Sequence, residues 1–127
     1  MVIAPVLSTE LIAALFRGLA DPARLSCLRA VRERPRTVGE VVAETGLSQP
    51  NVSKHLACLR GCGLVEAERS GRFVVYHLAG PQVEQVLAAA ELLIRDARGL
   101  PSTCPYCGSR TINPGTVQLD EEPWQPH

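Results

Sequence analysis

Four of the five cysteines fall into two pairs whose spacing suits metal binding. Cys58 and Cys62 are four residues apart, so a helix that continues through Gly61 places their side chains on one face, about 5–6 Å apart at Cβ. Cys104 and Cys107 form a Cys-x-x-Cys knuckle in which both sulfurs can turn toward one cation. Four thiolates suit zinc or cadmium, three also suit lead, and two suit mercury.

Other interpretations of these cysteines stay open. A cysteine in a helix is often a small core residue, and we interpret Cys27, between Leu25 and Leu28, in this way. Cys104 and Cys107 could instead form a thiol-disulfide pair, which would make the protein a redox-responsive DNA-binding regulator or an oxidoreductase, although no thioredoxin-like βαβ pattern surrounds them. A third interpretation assigns the cysteines to a purely structural zinc ion.

Composition narrows the classes of protein. The chain has 127 residues, 46% of them hydrophobic, which is enough for one globular domain. Its apolar stretches are shorter than the roughly 18 residues of a membrane span, and its N-terminus lacks the basic segment of a signal peptide. We therefore expect no membrane partner, a cytoplasmic location and reduced thiols. Thirteen basic residues balance thirteen acidic ones, and this balance alone argues against nucleic-acid binding. Three of the acidic residues, however, form the run 120–122 close to the C-terminus, so the rest of the chain is slightly basic.

Five helices are predicted from apolar periodicity and capping signals. Asp21 and the following proline open the second helix, Thr37 and Glu40 form a capping box for the third, Gly46 ends the third, and Ser48 caps the fourth. From Gly99 onward, prolines and glycines replace the periodicity, so we divide the chain into a domain at 1–98 and a tail at 99–127. The first and fifth helices carry wide apolar stripes, which we expect a homodimer to bury in part: Leu11, Ile12, Leu15, Phe16 and Leu19, and Val83, Val86, Leu87, Ala90, Leu93, Ile94 and Ala97.

The third and fourth helices, with the hairpin that follows them, predict a DNA-binding module. Two short helices joined by a turn, the second with polar groups on its outer face, are typical of a helix-turn-helix. Strands at 64–69 and 73–78 flank Ser70-Gly71-Arg72 and form a wing. The predicted fold class is thus mainly α with a small β-hairpin, a winged helix-turn-helix that is homodimeric through its terminal helices.

The polar side chains of the fourth helix and the wing could also be an ordinary solvated surface, but their setting favours contact with double-stranded DNA. Gln49 and Asn51 can pair with adenine edges, while Arg72 can reach phosphates or the minor groove. His55 suits either packing or a contact with the DNA backbone. Three further side chains suit phosphates: Ser48, Ser53 and Lys54.

Four runs resemble the ArsR/SmtB family of metal-sensing repressors over roughly residues 10–98: LADPARL at 19–25, LSQPNVSKHL at 47–56, GLV at 63–65 and GRFVVY at 71–76. This resemblance implies a dimeric winged helix-turn-helix that binds operator DNA when metal-free and releases it when metal arrives. The run ACLRGCGLV at 57–65 is most similar to cadmium- and lead-sensing members, in which a cysteine nearer the C-terminus completes the pair. It therefore implies cadmium or lead as effector. The additional tail cysteine leaves mercury open, and zinc stays an alternative.

Overall fold

The computed structural model describes residues 7–96, and within them the predicted order of helices and hairpin is confirmed. The predicted boundary between 1–98 and 99–127 falls outside these residues and stays a prediction. In chain order the elements are α1 (Thr9–Leu19), α2 (Pro22–Glu33), β1 (Arg36–Thr37), α3 (Val38–Thr45), α4 (Gln49–Gly61), β2 (Val65–Ser70), β3 (Phe73–Leu78) and α5 (Pro81–Asp96).

Side-chain caps fix where the helices begin. The Thr37 hydroxyl accepts a hydrogen bond from the Glu40 N–H at 3.2 Å, and the Thr37 N–H donates to the Glu40 carboxylate at 3.1 Å. This reciprocal pair is the predicted capping box. Gly46 ends α3 with a φ of 73°, a conformation that favours glycine. The other predicted N-caps, Asp21 and Ser48, also accept backbone N–H groups, and Ser8 caps α1 in the same way.

A third strand joins the predicted hairpin. β1 pairs antiparallel with β3, so that Arg36 lies opposite Tyr76 and Thr37 opposite Val75, and the sheet order is β1-β3-β2. Two residues are too few to show the alternating pattern by which a strand is recognised in a sequence. The prediction of a two-stranded wing is corrected to this extent.

Arg36 explains why so short a strand is held in place. Its side chain is buried, and its Nε donates to the Ala30 carbonyl at 2.8 Å. The same guanidinium donates to Glu33 at 3.0 Å and lies 3.6 Å from Glu44. Because these partners belong to α2 and α3, one planar cation connects both helices to the strand.

The hydrophobic core forms between the inner face of α4 and the elements α2, α3 and β2. Cys27 is fully buried in α2, as predicted, and burial raises the pKa of its thiol, with a smaller contribution from the Asp21 carboxylate. The other apolar side chains that expose at most 2% of their surface come from α2, α3, α4 and β2: Leu28, Val31, Val41, Val52, Leu56, Leu59 and Val65. This packing fixes the rotation of α4 and therefore which of its side chains face outward.

The terminal helices expose much of the apolar surface that the sequence predicted. In α1, Leu11 and Phe16 each expose 58% of their surface. α5, taken by itself, exposes Val86, Leu92 and Leu93. Such residues are normally buried in part, so α1 has an apolar face in contact with solvent within the described part of the chain, and α5 considered alone has an apolar face of its own. Within residues 7–96 no helix is long and apolar enough to cross a bilayer.

The wing contains a pH-sensitive pair. The Nδ1 of His77 lies 2.8 Å from the Leu78 carbonyl, and its Nε2 lies 3.1 Å from the Glu68 carboxylate. The Leu78 carbonyl makes the largest contribution to raising the pKa of His77, and Glu68 adds to it. Protonated His77 therefore stabilises the folded wing. This stabilisation is present below the unfolded pKa of about 6.5 and is lost as the pH rises through the folded value.

We predict that Glu68→Gln lowers the pKa of His77 but leaves it above its ordinary value, because the Leu78 carbonyl remains. An NMR titration of the His77 ring measures the change. Glu66→Gln is the matched control, since Glu66 makes the smallest of the contributions that raise this pKa. An unchanged His77 titration in Glu68→Gln would show that the carboxylate does not act on the ring.

Candidate DNA-binding surface and candidate thiolate site

The two faces of α4 are chemically distinct. Val52, Leu56 and Leu59 are fully buried on the inner face. The predicted DNA-contacting side chains on the outer face are exposed: Ser48, Gln49, Asn51, Ser53 and Lys54. Exposed amides, hydroxyls and an ammonium group on a rigid helix can read base edges and bind phosphates.

Ser48 has a structural role in addition to its predicted contact with phosphate. Its hydroxyl oxygen accepts a hydrogen bond from the Asn51 N–H at 3.4 Å and so caps α4. The hydroxyl hydrogen is not used by this cap and can still donate. Ser48 can therefore cap α4 and still donate a hydrogen bond to a phosphate oxygen.

His55 differs from the other predicted contacts. It is half-buried, and its Nδ1 is buried without a hydrogen-bond partner in the described part of the chain. The pKa of Asp21 is lowered mainly by the Arg24 N–H and also by the charge of His55, so this ring lies near the beginning of α2. Its position favours packing between α4 and α2, the first of the two roles that the sequence allows.

The wing tip carries a second positive charge in addition to Arg72. Arg72 is exposed next to Gly71, whose φ of 62° forms the tight turn. Arg69 is also exposed and pairs with Val74 across the hairpin. Sequence reasoning missed Arg69, although its place near the predicted tip could have indicated it. Two guanidinium groups at one end of a hairpin suit a phosphate backbone.

The predicted continuation of the helix through Gly61 to Cys62 is confirmed. α4 ends at Gly61, but Cys62 keeps nearly helical angles, φ −84° and ψ −1°. Its N–H donates to the Cys58 carbonyl at 2.9 Å, which continues the helical hydrogen bonding by one residue. The Cys58 side chain also contributes to raising the pKa of the Cys62 thiol, so the two sulfurs are close enough to interact. Cys58 and Cys62 thus lie on one face at the C-terminal end of α4.

The surroundings of this pair allow a soft ion to approach. Cys62 is exposed and Cys58 is half-buried. Desolvation makes the largest contribution to raising the pKa of Cys62, the Cys58 sulfur raises it further, and the Arg24 guanidinium opposes both. The metal-free Cys62 is therefore a neutral thiol at neutral pH, and a metal ion must displace its proton to bind.

The other two predicted ligands, Cys104 and Cys107, lie outside the described residues. Within residues 7–96 no group of three or more histidine, cysteine, aspartate or glutamate side chains could hold a metal ion. The donor set of the Cys58–Cys62 pair nevertheless fits a soft cation, because thiolates prefer such ions. The structure thus provides two adjacent donors and leaves the remaining ligands as a prediction.

The amino-acid sequence of this chain matches a known protein family. Residues 21–67 match the family model described as bacterial regulatory protein, arsR family. The chain is 46% identical to the HTH-type transcriptional regulator CmtR of Mycobacterium bovis over 108 residues, which cover 85% of this chain and 89% of that protein. It is 38% identical to a probable mercury resistance operon repressor of Streptomyces lividans over 100 residues, 79% of this chain and 80% of that one.

A solved structure agrees with the fold. The homodimeric winged helix-turn-helix DNA-binding domain of Mb0332 from Mycobacterium bovis is similar to this chain, with a TM-score of 0.62 and 27% sequence identity. The match covers 72% of this chain and 89% of that one. The predicted fold class is confirmed, and the relatives are DNA-binding regulators rather than enzymes. The chain belongs to the ArsR/SmtB family of transcriptional regulators.

Proposed function

We propose that this protein is a homodimeric repressor that binds operator DNA in its metal-free state and dissociates when a thiophilic ion binds its cysteines. The observation that carries this proposal is the placement of Cys58 and Cys62 one helical turn apart at the end of α4. As the family acts on DNA, we place it in the cytoplasm, where thiols stay reduced.

The proposed ligands are Cys58 and Cys62 together with Cys104 and Cys107 of the tail. A bound soft cation supplies positive charge that keeps these sulfurs deprotonated. Cadmium and lead are the first candidates, because the pair and its surroundings are similar to CmtR. Mercury is a further candidate, since another relative is named a probable mercury resistance operon repressor, and zinc suits a four-thiolate site.

The position of the thiol pair offers a route to DNA release. The groups proposed to read DNA occupy the first half of α4, while Cys58 lies in its last turn and Cys62 caps it. Val52, Leu56 and Leu59 hold the helix rigidly between these ends. Coordination at one end can therefore favour a different placement of the whole helix. Allosteric coupling of this kind typically changes affinity about 5–150-fold.

A homodimer supplies the second recognition helix. Exposed apolar residues on α1, such as Leu11 and Phe16, provide surface for a second copy of the chain. α5 independently exposes Leu92 and Leu93. Two recognition helices in such a dimer read half-sites about 34 Å apart, one turn of DNA.

For DNA binding we predict that Lys54→Ala weakens affinity for all sequences and reduces the dependence of affinity on salt, because a phosphate contact is lost. Gln49→Ala and Asn51→Ala should mainly relax specificity, by about 1–3 kcal/mol per lost base contact. Fluorescence anisotropy with operator and scrambled duplexes measures both effects.

Gln82→Ala is the matched control for Gln49→Ala, because Gln82 is an exposed amide in the first turn of α5. It should leave affinity and specificity unchanged. If Lys54→Ala, Gln49→Ala and Asn51→Ala all behave like this control, α4 is not the DNA-reading helix.

For metal sensing we predict that Cys58→Ser or Cys62→Ser abolishes cadmium-driven release and leaves metal-free DNA binding unchanged. The buried Cys27 provides the control, since Cys27→Ala should retain release. Gel shifts in reducing buffer, with and without cadmium, measure the outcome. Release that persists in both serine variants would exclude the recognition-helix pair as the sensing site.

The contribution of the tail has its own spectroscopic measurement. Cysteine thiolates bound to cadmium give charge-transfer absorption in the ultraviolet, which Cys104→Ser or Cys107→Ser should diminish. Wild-type spectra and stoichiometry in both variants would contradict the assignment of the tail cysteines as ligands.

A further inference from the structure

Arg24, in the first turn of α2, has an unexplained buried donor. Its Nη1 donates to the Gly18 carbonyl at 3.0 Å, and its backbone N–H donates to the Asp21 carboxylate at 3.0 Å. Its Nε is buried and makes no hydrogen bond within the described residues. A buried charged donor without an acceptor costs free energy, so such a group calls for a functional or structural reason.

Gly18 connects this guanidinium to the thiol pair. It is the residue of α1 that is buried, and a methyl group built on its Cα would lie 3.5 Å from the Cys62 sulfur. The Cys62 sulfur therefore lies beside Gly18, whose carbonyl accepts the hydrogen bond from Arg24. Residues far apart in the sequence thus meet where α1 and α2 pass the end of α4.

Arg24 and Cys62 meet at Gly18, because the Gly18 carbonyl accepts a hydrogen bond from the Arg24 Nη1 at 3.0 Å and the Cys62 sulfur lies against the Gly18 Cα. Arg24 is the cation whose charge acts on the Cys62 sulfur, whereas the neighbouring Cys58 sulfur opposes its ionisation. The nearby Asp21 carboxylate already accepts the backbone N–H of Arg24 and caps α2. A thiolate at Cys62 is therefore a suitable counter-charge for the guanidinium, and the neutral thiol is not.

We propose that Arg24 is the positioning cation of the thiolate site: its guanidinium compensates the negative charge that Cys62 carries in the metal-bound state. This inference rests on the proposed metal-sensing function and adds a residue that is not a ligand. Groups that support metal ligands from outside the coordination sphere typically contribute 10–100-fold to metal affinity. A purely structural Arg24 would instead only connect the end of α1 to α2.

The test is a double-mutant cycle on the full chain, with cadmium affinity measured by competition with a chromophoric chelator in reducing buffer. We expect Arg24→Gln to weaken cadmium binding about 10–100-fold and Arg24→Lys, which keeps the charge, to recover part of the loss. In a Cys62→Ser background, Arg24→Gln should have little further effect, because the anion it compensates is absent. The control Arg29→Gln, an exposed cation on the same helix, should bind cadmium like the wild type.

Two results would overturn the inference while cadmium binding through Cys58 and Cys62 stands. One is wild-type cadmium affinity in Arg24→Gln. The other is an equal loss of affinity with and without Cys62, which would assign Arg24 a structural role. If Cys58→Ser and Cys62→Ser both bind cadmium like the wild type, the proposed metal-sensing function itself is wrong, and the inference fails with it.

A second measurement needs no substitution at Arg24. The ¹⁵N–¹H resonance of Arg24 Nε should shift when cadmium is added to the wild-type protein, because its surroundings gain a negative charge. The same addition to Cys62→Ser should leave it in place. A resonance that does not respond in the wild type contradicts the proposal even if Arg24→Gln fails to fold.

Discussion

The burial of one face of α4 is the constraint on which the rest of the site depends. Val52, Leu56 and Leu59 are fully buried, and they fix the rotation of this helix about its axis. Since an α-helix repeats every 3.6 residues, that rotation also determines the direction of every other side chain. Gln49 and Asn51 consequently face solvent at one end, while Cys58 and Cys62 meet at the other.

Most of this geometry could be predicted from residues that lie close together in the sequence. Caps such as Thr37 with Glu40 involve residues three apart, and the placement of Cys58 and Cys62 on one face follows from helical spacing. The pairing of Arg36 with Tyr76 and the approach of Gly18 to Cys62 could not be predicted, because they join segments far apart in the chain. Such contacts depend on tertiary packing, and no periodicity records them.

Burial also separates two kinds of cysteine in one chain. Cys27 is fully enclosed, and its thiol is part of the core. Cys58 and Cys62 lie at the end of α4, where they are accessible and close enough to interact. Their place on the recognition helix means that one rigid element carries both the proposed DNA contacts and the proposed metal ligands. Binding at either end can therefore influence binding at the other.

Thermodynamic linkage gives the most direct measurement of this coupling. If metal weakens operator binding by a certain factor, operator DNA must weaken metal binding by the same factor. We therefore expect the cadmium affinity of the protein, measured by chelator competition, to be lower in the operator complex than in the free protein by about 5–150-fold. Equal cadmium affinities with and without operator DNA would contradict the account, because the metal would then have no means of releasing the DNA.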